Sequence, residues 1–497
     1  MENYYKNNLE VSIKLLTIVT IVYFLNILAT TNDYIGLLIG ITGYSIVFIL
    51  LIINKTQEAA LAYLLFLSTS IEMQEFVFGY NEVTSNLYSF LKLPFVGVYL
   101  IFILNLALFV KLYHKRLINF ERFKYLKRLY MWSWIILLMG IVMMLITLLF
   151  NDNNITTMSW YYDKLKSELF RVGMIFFTIQ NFIGMLIRFP DFADKLEKIA
   201  VHILIAMVPA SLLTIVFGLH GYYGTSSDVL LMPLLTIFGG ALVLFSFYTK
   251  RNLKFFYIIT GVLFIVIMLS YTSPLGGKWI LILMSIPIVL ITNNFRSKNL
   301  RNYLYGFLFI ILGIAIIRFS PDIFGDNSLL SRKFEQVKSL LIITEKGWYA
   351  NLSDSPMFRI DEFINILIEY YKKPYYLLFG KGHGGTIMQH TTTLIWHSQG
   401  AFSADEVASG VYFRLHESLN LIFLKYGIVG VFFFLDVISI SIKHSVRSKW
   451  LIVGLIWFAL FYASYTTLLF GAVVMVLGFY QIDKTRGYDC KKSKSIK

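Results

Sequence analysis

Apolar runs of roughly twenty residues recur along almost the whole chain, and they leave few folds open. A helix needs about 20 mostly apolar residues to cross a bilayer. Within hydrocarbon every backbone polar group must be paired internally, which leaves helices or a closed barrel. These runs are too long and too continuous for barrel strands. The expected fold is therefore an all-α polytopic membrane protein. Candidate spans read at 12–30, 34–53, 58–72, 94–111, 130–150, 169–187, 199–219, 228–248, 253–272, 279–293, 303–318, 418–441, 450–465 and 467–481. Several are short or closely spaced, so the expected number is 12–14 transmembrane helices. The run 12–30 has no small-residue cleavage site before the next span and reads as a retained helix.

Composition agrees: 57% of the residues are hydrophobic and only 15% are charged. The net charge of +15 would suit a nucleic-acid partner, but its distribution argues otherwise. Lys and Arg crowd the segments 111–128, 188–198, 250–254, 296–301, 443–449 and 484–497. The alternate short connections hold only Lys92, Lys164, Lys166 and Lys278. Positive charge marks the cytoplasmic side of short loops. Both termini are thus expected in the cytoplasm, and no nucleic acid is called for. Cys490 is the lone cysteine, which allows neither an intrachain disulfide nor a thiolate metal cluster.

The chain divides into a bundle of eleven spans (1–318), a large extracytoplasmic loop (319–417), three further spans (418–481) and a basic cytoplasmic tail (482–497). Loops beyond about 15 residues are uncommon unless functional. In this loop Leu330, Phe334, Val337 and Leu341 share one helical face, as do Met357, Ile360, Phe363, Ile364, Leu367 and Tyr371. Both stretches are expected to be amphipathic helices lying on the membrane or capping the bundle.

Cations also gather on the extracytoplasmic side. Arg171 lies just inside a span end, Lys278 follows a Gly-Gly at another, and Arg318, Arg332, Arg359 and Arg414 lie in or beside the loop. Arg318 and Arg332, like Lys14 at the opposite side, suit snorkelling to headgroups. Arg359 differs, because the glycine-rich stretch FGKGHGG follows it with Gly380, Gly382 and Gly384. Arginine binds phosphate with a two-pronged donor set, and glycine turns let backbone N–H groups approach an anion. Together they suggest a pyrophosphate site. The plainer alternative pairs Arg359 with Asp361 or Glu362 and leaves the glycines to turn the chain. His383, His390, His397 and His416 cluster nearby, with Asp405 and Glu406, but their spacing fits no zinc motif, so no metal is expected. His416 stands at the mouth of a span, where an imidazole can take a proton from a hydroxyl.

RLHESLNLIFLKYGIVG resembles a signature of the bacterial O-antigen polymerase and O-antigen ligase superfamily, through His416, Ser418, Leu419, Gly427, Ile428 and Gly430. Glu417 stands where asparagine is more usual. FRIDEFINILIEYYKKPYYLLFGKGHGG resembles a second block of that superfamily, through Arg359, Pro374, Gly380, Gly382 and Gly384. SYTSPLGGKW is similar to a third, departing from it at Pro274 and in its displaced cation, Lys278. The resemblance covers roughly residues 270–435. It implies an enzyme of the bacterial cytoplasmic membrane that uses undecaprenyl-pyrophosphate-linked glycan on the outer face, without a cofactor. It points to His416 and Arg359 for catalysis; the cations read above, Arg414, Lys278 and Arg171, are the further substrate-binding candidates. It also implies a chain-length regulator and a flippase as protein partners. A polymerase of surface polysaccharide, O-antigen or capsule, is the expected activity. A ligase passing the glycan to an envelope acceptor, a lipid-linked oligosaccharide flippase, and a scaffold without a small-molecule site are the alternatives.

Overall fold

A computed structural model of the 497-residue chain describes residues 13–29, 32–70, 90, 93–95, 98–114, 118–216, 354–391, 402–413, 415, 418–445, 447–448, 450–459 and 465–494. The protein is mostly helical over these residues. The first part runs α1 (Ile13–Leu28), α2 (Asp33–Ile52), α3 (Thr56–Thr69), α4 (Leu100–Tyr113), α5 (Lys124–Leu149), α6 (Ser159–Arg188) and α7 (Phe192–Val216). A short antiparallel pair, β1 (Pro94–Phe95) and β2 (Val98–Tyr99), leads into α4. The second part runs α8 (Asp354–Lys372), α9 (Tyr375–Phe379), α10 (Ala404–Ser409), α11 (Ser418–His444), α12 (Trp450–Ala459) and α13 (Tyr465–Lys494). A second antiparallel pair joins β3 (Ile387–Met388) to β4 (Val411–Tyr412).

Among the described residues, four helices are long and apolar enough to cross a membrane: Tyr34–Ile52, Lys124–Leu149, Ser159–Arg188 and Leu419–His444. They coincide with four of the expected spans. The expected spans 228–248, 253–272, 279–293 and 303–318, and the expected helix around Leu330–Leu341, lie outside the described residues. Several boundaries are corrected: the span expected from 94 starts at Leu100, because Pro94–Phe95 and Val98–Tyr99 form the β1–β2 pair, the one expected from 199 starts at Phe192, and the one expected to end at 481 runs on to Lys494. The span expected at 169–187 begins ten residues earlier, because SWYYDKLKSELF continues the helix. Lys164, Lys166 and Glu168 therefore stand on α6 and not in a connecting loop.

Two helix starts show how their first N–H groups find partners. Asn32 caps α2 by accepting from Tyr34 N (2.9 Å) and Ile35 N (3.4 Å). At α5 the cap comes from far along the chain. The Asp483 carboxylate of α13 accepts from Tyr125 N at 3.0 and 3.1 Å and from Leu126 N at 3.0 Å. A negative charge at a helix N-terminus also complements the helix dipole. The main core packs α13 against α3, α5, α6, α7 and α12. A polar thread runs through it. Asn105 donates to the Tyr63 hydroxyl (2.6 Å), and Asn181 donates to the Asn105 side chain and carbonyl (both 3.0 Å). Amides paired this way can join helices in an apolar setting.

The second core joins α8, α9 and α11 to Met143 of α5. Its geometry is set by a break in α11. Gly427 has φ 57° and ψ −150°, a conformation essentially confined to glycine. The break frees carbonyls that a continuous helix would use. Lys381 N donates to Leu424 O and Gly382 N to Lys425 O, both at 2.9 Å. On the other side, His383 N donates to Gly140 O of α5 at 3.1 Å. The segment 380–386 is thereby wedged between α5 and α11, and it is buried throughout.

A Cβ at Gly427 would lie 2.6 Å from Gly380 N and 2.7 Å from Leu377 O. Gly427→Ala is expected to destabilise the protein by about 3 kcal/mol, from backbone strain plus overpacking. Gly410 offers the control, since it has φ 65° but nothing within 4 Å of the added atom. Gly410→Ala should cost only about 1 kcal/mol. Thermal unfolding of both variants in detergent checks the ranking, and equal losses would contradict it.

Candidate functional site

The site is built around α8, the wedge 380–386 and the first turns of α11. The expected helix over Met357–Tyr371 is present as α8, but its orientation is the reverse of a water-facing surface helix. Phe358, Asp361, Glu362, Asn365, Ile366, Glu369 and Tyr370 are all buried. They follow one another at helical spacing and form the inner stripe. The apolar stripe looks outward: Phe363 is 40% exposed, Leu367 39% and Tyr371 88%.

Each inward carboxylate is engaged. Glu362 accepts from Asn420 Nδ2 at 3.1 Å, and the same amide donates to the Arg359 carbonyl at 2.8 Å. Asp361 accepts from Thr391 Oγ1 at 2.5 Å and from Asn365 Nδ2 at 3.2 Å. Asn365 in turn accepts from His390 N at 2.6 Å. Glu369 pairs with Lys381, accepts from Met388 N at 2.5 Å, and lies 3.4 Å from His390 Nε2. Lys373 and the Tyr376 hydroxyl both bond Asp152, in the asparagine-rich turn after α5. The burial of these charges is compensated by partners, as a low-dielectric interior requires.

Of the expected site residues, Arg359 stands at the N-terminal end of α11, tied through Asn420. Arg171 is buried on α6 one turn after Glu168. Glu168 and Arg171 lie close enough to Tyr426 of α11 to influence its hydroxyl. Tyr426 Oη lies 3.3 Å from His383 Nδ1, and Lys425 Nζ donates to His383 O (3.0 Å) and Gly385 O (2.7 Å). Lys425 Nζ also lies 3.8 Å from the centre of the Phe413 ring, within cation–π range. Arg171 thus joins a second cluster, centred on Lys425 and Tyr426. Asn420 and Tyr426 are about 9 Å apart along a helix, so the two clusters lie on successive turns of α11. Lys278, Arg414 and His416 lie outside the described residues.

The expectation that Gly380, Gly382 and Gly384 present N–H groups to an anion is corrected at two positions. Gly380 N donates to Tyr376 O and Gly382 N to Lys425 O, so both donors are taken by carbonyls. The glycines are required by close approach. A Cβ at Gly382 would lie 2.1 Å from Met144 N, and one at Gly384 would lie 2.4 Å from Tyr161 Oη. His383 and His390 turn to different partners, Tyr426 and Glu369, and Glu406 turns to Lys164. These groups therefore do not converge as ligands of one ion.

Sequence reasoning left Glu168, Lys425, Tyr426 and the Glu369–Lys381 pair without a role. Lys425 carried a usable signal, a cation inside an apolar run, which is a functional hypothesis by default. Glu369 carried none, because its partner is set by the wedge.

Compared with known protein families, characterised proteins and solved structures, the chain shows no match.

The segment entering Arg414 and His416 is anchored by Glu406 of α10. Its carboxylate accepts from Lys164 of α6 at 2.8 Å and from Ser403 N and Phe413 N, both at 2.9 Å. Burial alone would raise its pKa, but Lys164 and the two N–H groups outweigh burial and hold it below the ordinary 4.5. The stabilisation is therefore fully present above that value and is lost as pH falls through the lowered pKa. Glu406→Gln is expected to cost about 2 kcal/mol at neutral pH, the worth of charge-assisted hydrogen bonds. The gap between variant and wild type should close on acidification. Unfolding curves at a series of pH values check this, and a gap independent of pH would contradict it.

Proposed function

We propose that the chain is a membrane glycosyltransferase that polymerises undecaprenyl-pyrophosphate-linked repeat units into surface polysaccharide. The reaction takes place on the outer face of the bacterial cytoplasmic membrane. Both termini lie in the cytoplasm, 12–14 helices span the bilayer, and 319–417 connects two of them on the extracytoplasmic side. The reading draws on the motif resemblance around Arg359 and His416. The observation that carries it is the Asn420 bridge to the Arg359 carbonyl and Glu362. His416 precedes Asn420 by four residues, a chain length of at most about 14 Å. The helix that follows His416 in the chain is thus tied to the backbone of Arg359.

In the proposed step a sugar hydroxyl of one lipid-linked glycan attacks the anomeric carbon of another. The new glycosidic C–O bond forms as the bond from that carbon to the pyrophosphate oxygen breaks. The bonding electrons leave with the pyrophosphate, and His416 takes the hydroxyl proton. The Arg359 guanidinium stabilises the charge developing on the leaving group, a contribution made mainly in the transition state. Arg414, Lys278 and Arg171 are the supporting cations. Glu362 holds α8 against α11 and Glu369 holds it against the wedge, which keeps Arg359 in position.

A deletion in the native host, complemented by wild type, Arg359→Ala or His416→Ala, tests the proposal. Each variant is expected to slow polymerisation by at least about 100-fold, the scale of losing one transition-state donor. Gels of surface glycan should then show single repeats on the final acceptor in place of a ladder. Unchanged ladders would remove the site. Full-length lipid-linked polymer without transfer would assign the chain to ligation.

A further inference from the structure

We infer that the segment 354–391 is a re-entrant element seated in the hydrocarbon of the bilayer, with the outer stripe of α8 and α9 in contact with lipid acyl chains. The inference concerns where this segment lies and stands apart from the chemistry proposed above.

Three observations carry it. The first is depth. The wedge bonds to Leu424 and Lys425, six and seven residues into α11, and to Gly140, nine residues before the end of α5. At 1.5 Å per residue these points lie about 9–10 Å and about 14 Å inside the two helix ends. Both helices are long and apolar enough to cross a membrane, and the hydrocarbon core is only about 30 Å thick.

The second is polarity. α8 buries Asp361, Glu362, Asn365 and Glu369 and turns Ile360, Phe363, Ile364, Leu367 and Ile368 away from them. In water that arrangement would be inside out. Against acyl chains it is the stable one, because the polar groups then find partners only inward. The apolar surface continues onto α9, where Leu377, Leu378 and Phe379 are exposed, Leu378 by 50%. Five apolar or aromatic residues in a row, Tyr375–Phe379, leave α9 no polar face.

The third is backbone satisfaction. Irregular backbone survives at membrane depth only where protein covers it and supplies its hydrogen bonds. Residues 380–387 are all buried. The N–H groups of Gly380, Lys381, Gly382, His383 and Gly385 each find a carbonyl, and Lys425 serves the carbonyls of His383 and Gly385. A water-exposed loop would not need this provision.

The test places a nitroxide at Phe363, Leu367 or Leu378, each changed singly to Cys in a Cys490→Ser background. The protein is reconstituted in phosphatidylethanolamine–phosphatidylglycerol vesicles. Collision with oxygen, which enters hydrocarbon, is compared with collision with a water-soluble nickel chelate. Leu138 of α5, 53% exposed, is the lipid reference, and the exposed Glu121 is the water reference. The oxygen-to-nickel ratio at all three sites is expected to match Leu138 and to exceed Glu121 several-fold. A ratio like that at Glu121 overturns the inference. So does protection from both reagents, which would mean a protein cover. As a second measurement, Leu367→Asp should lower the yield of folded, membrane-integrated protein at least about tenfold, while Leu367→Met leaves it unchanged. An undiminished yield for the aspartate variant would overturn the inference equally.

Discussion

The architecture around the candidate site depends on one exchange of backbone hydrogen bonds. α11 breaks at Gly427, and the carbonyls released by the break are taken up by the N–H groups of Lys381 and Gly382. An unpaired carbonyl in an apolar interior costs as much as a lost hydrogen bond, so the break and the wedge stabilise each other. The glycines at 380 and 427 follow from this, since any side chain there would force the two backbones apart. Lys425 completes the seam by donating to the wedge carbonyls from the other direction.

The charged groups are arranged around that seam in layers. Asp361, Glu362 and Glu369 of α8 face inward and meet Thr391, Asn420 and Lys381. Arg171 and Glu168 approach from α6, and Glu406 fastens α10 to Lys164. The first turns of α11 are held by α8 and by the wedge. Such rigidity suits a site whose chemistry is electrostatic, because donors that are already oriented need no reorganisation as charge develops.

Much of the helical framework was legible from the chain. The spans containing Tyr34–Ile52 and Leu419–His444 were visible as apolar runs, and α8 was visible as a repeat of apolar residues between Met357 and Tyr371. The polarity of α8 was not legible. Periodicity says which residues share a face, and it does not say whether that face meets water, protein or hydrocarbon. The glycines were noticed for their freedom to approach a ligand. Gly380 and Gly382 instead approach other backbone, a distinction that depends on α5 and α11 being beside them. The start of α6 was placed too late because its first turns are polar, and Glu168 was missed with it.

Apolar runs and helical period suffice to set the class of the molecule, mostly helical with helices fit for a membrane. The chain also shows the chemical inventory at its end, an arginine, glycines and histidines near a late apolar run. These are local properties, set by side-chain transfer energies and by helical period. Which groups meet depends on packing in three dimensions. Asp483 caps α5, Asn420 reaches Arg359, and Lys381 finds Glu369. Hydrogen bonds and ion pairs act over a few ångströms and are blind to distance along the chain. Their choice of partner follows packing, which the α11 break and its wedge set here.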